Sequence, residues 1–230
     1  MDDRANRSHR RWTKRALTKT TTMFHDTYTQ EQLSALDKRV RTALVNTCGG
    51  IRTAFVGISG SDGVWNAGTF SNVTHVGAHP AQISVLFRPD NGARHTYTNY
   101  KSTGLLTLVV LPFSEHEQVH NASVNAPEGV FEWAHIGGSA QALEGWSHPI
   151  PQEALWAIEL SFVEEFTLGN GCIYTVGAIE KIGFGAHASV LLDGTVDFQS
   201  SPALALGLQT YLEAGNRQAR PYPSASALGF

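Results

Sequence analysis

The sequence predicts a mainly β fold, either a barrel or a sandwich, with a few peripheral helices. Three observations point to this class. Only 16% of the 230 residues are charged, against a usual ~25%. Short apolar segments with strand-like periodicity alternate with turns that contain Gly or Pro. Few segments show the spacing of a helix. The length suits one domain of ordinary size, with or without tails.

The first element is predicted to be a helix. Thr29-Gln30-Glu31-Gln32 resembles a capping box, and Leu33 and Leu36 follow it at helical spacing. We therefore expect one amphipathic helix from Glu31 to Asn46, closed by Gly49-Gly50.

Strand periodicity begins at Ile51. Residues 51–58 and 64–70 flank a Ser-Gly-Ser-Asp-Gly turn and are therefore predicted to form a hairpin. Two largely apolar runs come next, and their continuous hydrophobicity is typical of buried strands. The further elements expected along the chain are strands at 83–87, 105–111, 155–166, 172–182 and 189–192, a polar helical turn at 114–123, a Gly/Pro-rich excursion at 127–151 and a helical piece at 202–212.

Basic residues are concentrated at the N-terminal end. Seven of the 17 Lys and Arg residues fall within the first 19 positions, where only Asp2 and Asp3 offset them. Such a patch can bind nucleic acid, but this one lacks apolar periodicity and contains Trp12 as its single aromatic residue. We predict no nucleic-acid partner and interpret residues 1–22 as a disordered, non-native or mis-started leader before Met23. The domain is then expected over residues 23–214, followed by a polar tail at 215–230.

Several classes of protein are excluded by the sequence. No apolar run approaches the roughly 18–20 residues of a membrane span, and the basic N-terminus is not followed by the apolar part of a signal peptide. Cys48 and Cys172 are far apart and show no metal-like spacing. There is no P-loop, nucleophile elbow or dinucleotide-type Gly-rich turn. We therefore expect a reduced, cytoplasmic protein without a membrane partner.

The segment from Phe87 to Tyr100 is the strongest candidate for a ligand site. An apolar run ends in Arg88-Pro89, a Gly-containing turn follows, and Arg94-His95-Thr96 opens a helix-like stretch. Backbone N–H groups at a helix start, a hydroxyl on the first turn and two guanidinium groups nearby make a phosphate site. Such a site indicates a phosphorylated cofactor. The alternative is a strand–turn–helix junction with solvated arginines.

The second strand of the predicted hairpin and its continuation, Asn66 to Val73, alternate small polar and apolar residues. This pattern puts hydroxyls and amides on one face and leaves the backbone accessible at Gly68. A planar heteroaromatic ring with carbonyl and imide edges needs such neighbours. The alternative is the solvent-exposed face of a sheet, which shows the same alternation of polar and apolar residues.

Two histidine pairs have the i, i+4 spacing that could ligate zinc on a helix. His79 precedes Pro80, so the pair His75/His79 lies in extended chain and loses that geometry. The pair His116/His120 has no third ligand nearby in the sequence. We expect solvated or capping histidines in both cases and no metal site.

Taken together, these segments resemble the flavin reductase-like family, whose fold is an FMN-binding split barrel. The similarity spans roughly Ile51 to Leu212, and the order and spacing of the segments are more specific than any one of them. The matching segments are Trp65-Asn66-Ala67-Gly68-Thr69-Phe70-Ser71-Asn72, His79-Pro80-Ala81, residues 82–87, Arg88-Pro89, Arg94-His95-Thr96-Tyr97-Thr98-Asn99-Tyr100, Thr103-Gly104-Leu105 and, more loosely, residues 119–123, 131–133 and 176–180.

The resemblance implies a mainly β, FMN-binding split β-barrel that forms a homodimer, with the flavin at the subunit interface. It also implies an oxidoreductase that takes hydride from NADH or NADPH into the flavin. The reduced flavin would be released to a partner monooxygenase or used to reduce an acceptor. One stretch departs from the family, since Gly169-Asn170-Gly171-Cys172 stands where many small reductases carry Gly-Asp-His.

The same resemblance assigns roles to single residues. Thr69, Ser71 and Asn72 would line the isoalloxazine and the ribityl chain, with Asn66 beside them on the same strand. His120 falls at a matching position near the flavin, where we expect a polar, catalytic residue; the alternative is a histidine on a helix surface. The residues implied at the phosphate are Arg88, Arg94 and Thr96.

Two other functions remain open from the residues alone. One is a flavin-binding electron carrier or sensor without NAD(P)H turnover, because the motifs hold a flavin and do not report its electron donor. The other is a structural β-barrel binding module with a basic N-terminal arm, which would take up no flavin.

Overall fold

The computed structural model describes residues 26–89, 92, 94–207, 209–216 and 218 of the chain. The predicted leader, residues 1–22, and most of the predicted C-terminal tail lie outside them. The chain divides into two compact units, the first ending at Arg41 and the second beginning at Thr42. Within the described ranges, no helix is both long and apolar enough to cross a lipid bilayer.

Two short helices replace the single helix that was predicted over residues 31–46. The first, α1 (Gln30–Ala35), begins with the predicted capping box. In it, the N–H of Gln32 donates to Thr29 Oγ1 (3.2 Å) and the N–H of Thr29 donates to Gln32 Oε1 (2.8 Å). The second helix is α2 (Lys38–Cys48).

The break between α1 and α2 has a local cause. Leu36 leaves the first helix with an extended backbone, ψ 150°. The carboxylate of Asp37 then accepts from the N–H groups of Arg39 (2.9 Å) and Val40 (3.3 Å), as an N-cap residue does. Side-chain bonding of this kind competes with helix continuation. The prediction of one helix was wrong because Asp37 offers the backbone other partners.

The second unit is built around a seven-stranded antiparallel sheet. Its strands are β2 (Phe55–Ser61), β3 (Val64–Phe70), β4 (Val73–Ala78), β5 (Ala81–Phe87), β6 (Leu105–Val110), β9 (Trp156–Thr167) and β10 (Ile173–Phe184). Their order in the sheet is β3-β2-β6-β9-β10-β5-β4. The smaller sheets contain β1 (Ile51–Thr53), β13 (Leu204–Leu206) and β14 (Thr210–Leu212); β7 (Ala140–Gln141) and β8 (Ile150–Pro151); and β11 (Ala188–Val190) and β12 (Val196–Phe198).

Short helices accompany these strands, and the predicted mainly β class is confirmed. The strands predicted at 64–70, 83–87, 105–111, 155–166, 172–182 and 189–192 are present, most with ends shifted by a few residues. Strands β4, β7, β8 and β12 were not predicted. The helices are α3 (His95–Thr103), a 3₁₀ turn (Phe113–Glu115), α4 (His116–Asn121) and α5 (Glu132–His135).

The strand predicted over residues 51–58 is divided at Ala54. Its backbone N–H donates to the carbonyl of Ala203 (2.9 Å), which extends the pairing with β13 by one residue, and the chain changes partner after it. Strand β1 pairs with β13, whereas β2 pairs with β3 and β6. One apolar run therefore supplies strands to two sheets.

The helical piece predicted over residues 202–212 is wrong, since this segment forms the β13–β14 hairpin. Its Leu and Ala residues favour a helix, but β13 pairs with β1 in the register Ile51 to Leu206. Gly207, with φ +71°, supplies the left-handed backbone that lets the chain reverse towards β14. Pairing with a distant strand overrides the local propensity.

The predicted hairpin of β2 and β3 is confirmed and turns tightly. Ser61 pairs with Val64, so the loop consists of Asp62 and Gly63 alone. Their φ angles of +55° and +82° are those of a type I′ turn, which matches the twist of the flanking strands. The turn fixes the register of β3.

The sheet is a barrel with an opening along β3. Strands β3 and β4 lie at opposite ends of the sheet, although they follow each other in the sequence and are joined only by Ser71-Asn72. The N–H of Leu86 on β5 donates to the carbonyl of Asn72 (3.0 Å), which extends the pairing of β4 with β5 into this short connection. No strand of the described part of the chain pairs with the outer edge of β3.

Two apolar cores lie on the two faces of β2. Val56 and Ile58 are fully buried in one core and Phe55 lies in the other, as the alternation of side chains along a strand requires. Val119 of α4 belongs to the first core, and Tyr100 of α3 belongs to the second. Both helices are thereby anchored to the barrel.

Replacement of Tyr100 by Phe is expected to raise the free energy of unfolding by about 1 kcal/mol. Tyr100 is fully buried, and its hydroxyl has no hydrogen-bond partner among the described residues. Burial raises the pKa of Tyr100, so the hydroxyl stays neutral. Removing this polar group recovers the cost of its desolvation without breaking a bond. Urea denaturation of the two proteins measures the change.

Tyr97→Phe is the matched control on the same helix. The hydroxyl of Tyr97 donates to Glu165 Oε2 (3.0 Å), so its removal should lower stability. A Tyr100→Phe protein that unfolds at a lower urea concentration than the wild type would contradict the expectation.

Candidate functional site

A cleft of about 500 Å³ is formed by the outer edge of β3, the start of α3, α4 and the β13–β14 hairpin. Every residue that the sequence assigned to a site lines this cleft. These residues are Asn66, Thr69, Ser71, Asn72, Arg88, Arg94, Thr96 and His120. The fold thus brings together residues from four separate segments of the chain.

The floor of the cleft is a buried chain of hydrogen bonds. Glu132 of α5, Asn66 of β3 and Thr96 of α3 are 3%, 7% and 7% exposed. Asn66 Nδ2 donates to Glu132 Oε1 (2.7 Å), and the Thr96 hydroxyl donates to Asn66 Oδ1. The chain ties together three elements that are distant in the sequence.

The Glu132 carboxyl is subject to opposing influences. Burial raises its pKa, whereas the hydrogen bond from the N–H of Ala67 (2.7 Å to Oε2), the proximity of His95 and the bond from Asn66 lower it. Burial has the largest effect, and the net pKa lies above the usual value of a glutamate. A buried carboxyl of this kind at a cleft is a candidate for a functional role.

The outer edge of β3 offers backbone groups to the cleft. Because the N–H of Ala67 points away from β2, the alternation of an antiparallel ladder directs the N–H and C=O of Thr69 the same way. The Thr69 hydroxyl donates its proton to the carbonyl of Val119, so it cannot donate to a ligand at the same time. At Gly68, a Cβ atom would lie 2.9 Å from Thr96 Oγ1. Glycine thus permits the close approach of α3.

The start of α3 is the cationic end of the cleft. Arg88 is exposed and Arg94 is half-buried, and Arg94 Nε is a buried donor with no hydrogen-bond partner among the described residues. The first intrahelical bond runs from the N–H of Thr98 to the carbonyl of Arg94 (3.0 Å), so the N–H groups before it belong to the helix start. Because the Thr96 hydroxyl proton is committed to the floor, Thr96 can donate only its backbone N–H to a ligand.

Asn72 is oriented by Arg52 of β1. Arg52 Nη1 donates to Asn72 Oδ1 (3.0 Å), while Nη2 donates to the backbone carbonyl of Asn46 (2.9 Å) and to its side-chain oxygen. Since the Asn72 oxygen faces the guanidinium, its amide N–H groups are the part that a ligand can use. Asn46 and Asn72 both line the cleft.

Aromatic rings line a further part of the cleft. His120 of α4 meets Tyr211 of β14 edge to face, with ring centroids 5.7 Å apart and an interplanar angle of 85°. Burial raises the pKa of Tyr211. This contact places the imidazole of His120 at the cleft rather than on an isolated helix surface.

The two histidine pairs do not gather further metal ligands. Among the residues that the structure describes, no group of three or more His, Cys, Asp and Glu side chains is placed to hold an ion. His116 Nδ1 is hydrogen-bonded to the carbonyl of Phe113 (2.9 Å), and the two rings stack with centroids 4.7 Å apart. His75 lies in extended chain on β4, as predicted.

Glu132 and Tyr211 are among the cleft residues that the sequence reasoning missed. Glu132 lies between Phe131 and Trp133, and a carboxylate between aromatic residues is a signal of a buried, partnered acid that could have identified it. Tyr211 was hidden because its segment was predicted to be helical. Only the pairing of β13 with β1 reveals that this segment reaches the cleft.

A family model described as the flavin reductase like domain matches residues 50–200. No curated protein matches the chain at a significant level. A protein of the flavin reductase type with a split barrel domain, from Shewanella frigidimarina NCIMB 400, is 27% identical, with 86% of this chain and 100% of that chain covered and a TM-score of 0.78.

Two solved structures with lower identity share the fold. Nitrilotriacetate monooxygenase component B from Bacillus cereus is 18% identical, with 87% of this chain and 100% of that chain covered and a TM-score of 0.72. Flavoredoxin of Desulfovibrio vulgaris (Miyazaki F) is 18% identical, with 76% and 93% covered and a TM-score of 0.63. The predicted split β-barrel is confirmed.

Proposed function

This chain belongs to the flavin reductase-like family, and on that premise we propose that it is an FMN-dependent oxidoreductase. Hydride from NADH or NADPH would enter the flavin, and the electrons would pass to an acceptor or to a partner oxygenase. The observation that carries the proposal is the cleft, because one end is cationic while its β3 side offers backbone and amide groups.

The cationic end suits the phosphate of FMN. Arg94 Nε is a buried donor without a partner among the described residues, and an anionic ligand would satisfy it. Arg88 adds a second guanidinium, and the start of α3 adds backbone N–H groups and the positive end of the helix dipole. In this proposal Thr96 contributes its backbone N–H, since its hydroxyl donates to Asn66.

The β3 side suits the planar ring and the ribityl chain. Asn66, Ser71, Asn72 and the backbone of Thr69 would hold and orient the flavin there. When bound, FMN supplies the hydride chemistry, and these side chains supply position and electrostatics. We assign His120 to the region where the nicotinamide or the acceptor meets the flavin, with Tyr211 supporting its ring.

Anaerobic titration tests this function. The purified protein is first titrated with FMN, and a change in flavin absorption is expected on binding. NADH or NADPH is then added, and the absorption should bleach. A protein that binds FMN but is bleached by neither nucleotide would be an electron carrier or sensor. A protein that takes up no flavin would overturn both functions and favour a structural binding module.

We also expect a homodimer in the presence of FMN. Large apolar side chains on β9 and β10 are exposed to solvent in the single chain, at 45% for Val163, 52% for Phe166, 50% for Ile182 and 40% for Phe184. Exposed apolar surface of this kind is typical of a protein interface, and two-fold dimers are the commonest oligomers. Light scattering should give twice the mass of one chain; a monomer mass with FMN present would contradict this prediction.

A further inference from the structure

The buried carboxylate of Glu132 fixes the direction of the Asn66 amide. We infer that Glu132 is a positioning residue that turns Asn66 into a hydrogen-bond donor towards the isoalloxazine ring. The inference rests on the proposed function, because it concerns the flavin that the cleft would hold.

The polarity of the floor follows from the groups themselves. An ionised carboxylate only accepts hydrogen bonds, and Glu132 accepts two: from Asn66 Nδ2 at Oε1 (2.7 Å) and from the N–H of Ala67 at Oε2 (2.7 Å). The amide nitrogen of Asn66 must therefore face Glu132. Its oxygen then faces Thr96, whose hydroxyl donates to it.

One N–H of the Asn66 amide is not used by these hydrogen bonds. An amide NH₂ group carries two hydrogens, and the bond to Glu132 uses one of them. Asn66 lines the cleft and is 7% exposed, and its second amide hydrogen has no partner among the described residues, so a ligand in the cleft can accept from it. If the amide were reversed, its oxygen would face the carboxylate and the cleft would lose this donor.

The isoalloxazine ring has carbonyl and imine acceptors along its polar edge. A donor to one of them binds more strongly when the ring gains electron density, so it favours the reduced flavin. Asn66 therefore contributes both to flavin affinity and to the midpoint potential. Glu132 acts through Asn66 and does not contact the flavin in this scheme.

An exchange of the two polar groups tests the inference. In the double variant Asn66→Asp/Glu132→Gln, the Gln amide can donate to Asp while its oxygen accepts from Ala67, and Asp also accepts from Thr96. Every bond of the floor is rebuilt with the net charge unchanged, but position 66 no longer carries a donor. Asn66→Asp alone, in contrast, places two carboxylates against each other. Glu132→Gln alone keeps its bonds only by reversal of the Asn66 amide, with the Gln amide donating to Asn66 Oδ1 and Asn66 Nδ2 donating to the Thr96 hydroxyl.

Three measurements are made on the wild type, the two single variants and the double variant. The melting temperature without flavin should fall in Asn66→Asp and recover in the double variant. Flavin affinity of the double variant should nevertheless fall about tenfold, and the midpoint potential of its bound flavin should be lower than in the wild type. The loss of affinity should be equal for FMN and riboflavin, since Asn66 acts at the ring.

Glu128→Gln is the control. It changes an exposed charge in the same loop region, and it should bind flavin like the wild type.

The outcomes separate this inference from the proposed function. A double variant that regains both stability and wild-type flavin affinity would show that Glu132 is only structural. A double variant no more stable than Asn66→Asp would contradict the polarity of the floor. A wild type that takes up no flavin would overturn the proposed function, and this inference with it.

Discussion

Replacement of Arg94 by Ala is expected to weaken FMN binding roughly tenfold to a hundredfold and to leave riboflavin binding almost unchanged. A charge-assisted hydrogen bond contributes about 1.5–3 kcal/mol, which corresponds to this range of affinity. Riboflavin lacks the phosphate, so it makes no such bond. Fluorescence titration of the two ligands gives the ratio of their dissociation constants, and that ratio is the measured result.

Lys101→Ala is the matched control for Arg94→Ala. Lys101 also lies on α3, but it pairs with Glu165 (3.0 Å) and is not among the cleft residues. Its loss should leave the FMN-to-riboflavin ratio unaltered. If Arg94→Ala also keeps the wild-type ratio, the phosphate does not lie at the start of α3.

Thr96→Ala should behave differently from Arg94→Ala. A direct hydroxyl–phosphate bond would make this change selective for FMN. In the structure the hydroxyl donates to Asn66, so its removal should weaken FMN and riboflavin alike through the floor of the cleft.

Replacement of Leu160 by Ala is expected to lower the free energy of unfolding by about 2–5 kcal/mol. Leu160 is fully buried on β9 in the core that contains Tyr100, opposite Leu106 on β6. Removing three carbon atoms there leaves a cavity that the surrounding strands cannot close, because β6 and β10 hold β9 in register on both sides. Urea denaturation with a linear extrapolation measures the loss.

Leu168→Ala is the corresponding exposed control. Leu168 directly follows β9 and is 41% exposed, so its truncation should change stability by less than about 0.5 kcal/mol. Equal losses at the two positions would show that the core around Tyr100 contributes no more than the surface.

The strands were predictable where the pattern was local. The Asp62-Gly63 turn and the apolar runs of β5 and β6 carry their conformation in their own residues, and the structure has them where they were expected. The predictions failed where a distant partner decides. Leu204 to Leu206 would suit a helix, but pairing with Ile51 to Thr53 makes them a strand. Asp37 is an intermediate case, because an Asp within a helical pattern is a recognisable N-cap signal.

The site was predictable as a set of residues and not as a network. The order and spacing of the segments placed Asn66, Arg94 and His120 in one cleft. Nothing in the sequence shows that the Thr96 hydroxyl would be used within the protein. The bond from Thr96 to Asn66 depends on the orientation that Glu132 gives the Asn66 amide, and Glu132 lies on a four-residue helix far along the chain. Hydrogen-bond direction is a property of the assembled site.

The pairing of β1 with β13 has a consequence for the order of events on the ribosome. Ile51 is synthesised before its partner Leu206. At a synthesis rate of about 5–20 residues per second, roughly 10–30 s pass between the two. Gly207 and Tyr211, which complete the cleft, are made later still. A nascent chain therefore carries the cationic end of the cleft and the β3 edge before the hairpin that completes the lining has been made. A ligand that needs the complete cleft can therefore bind only after the β13–β14 hairpin has been made.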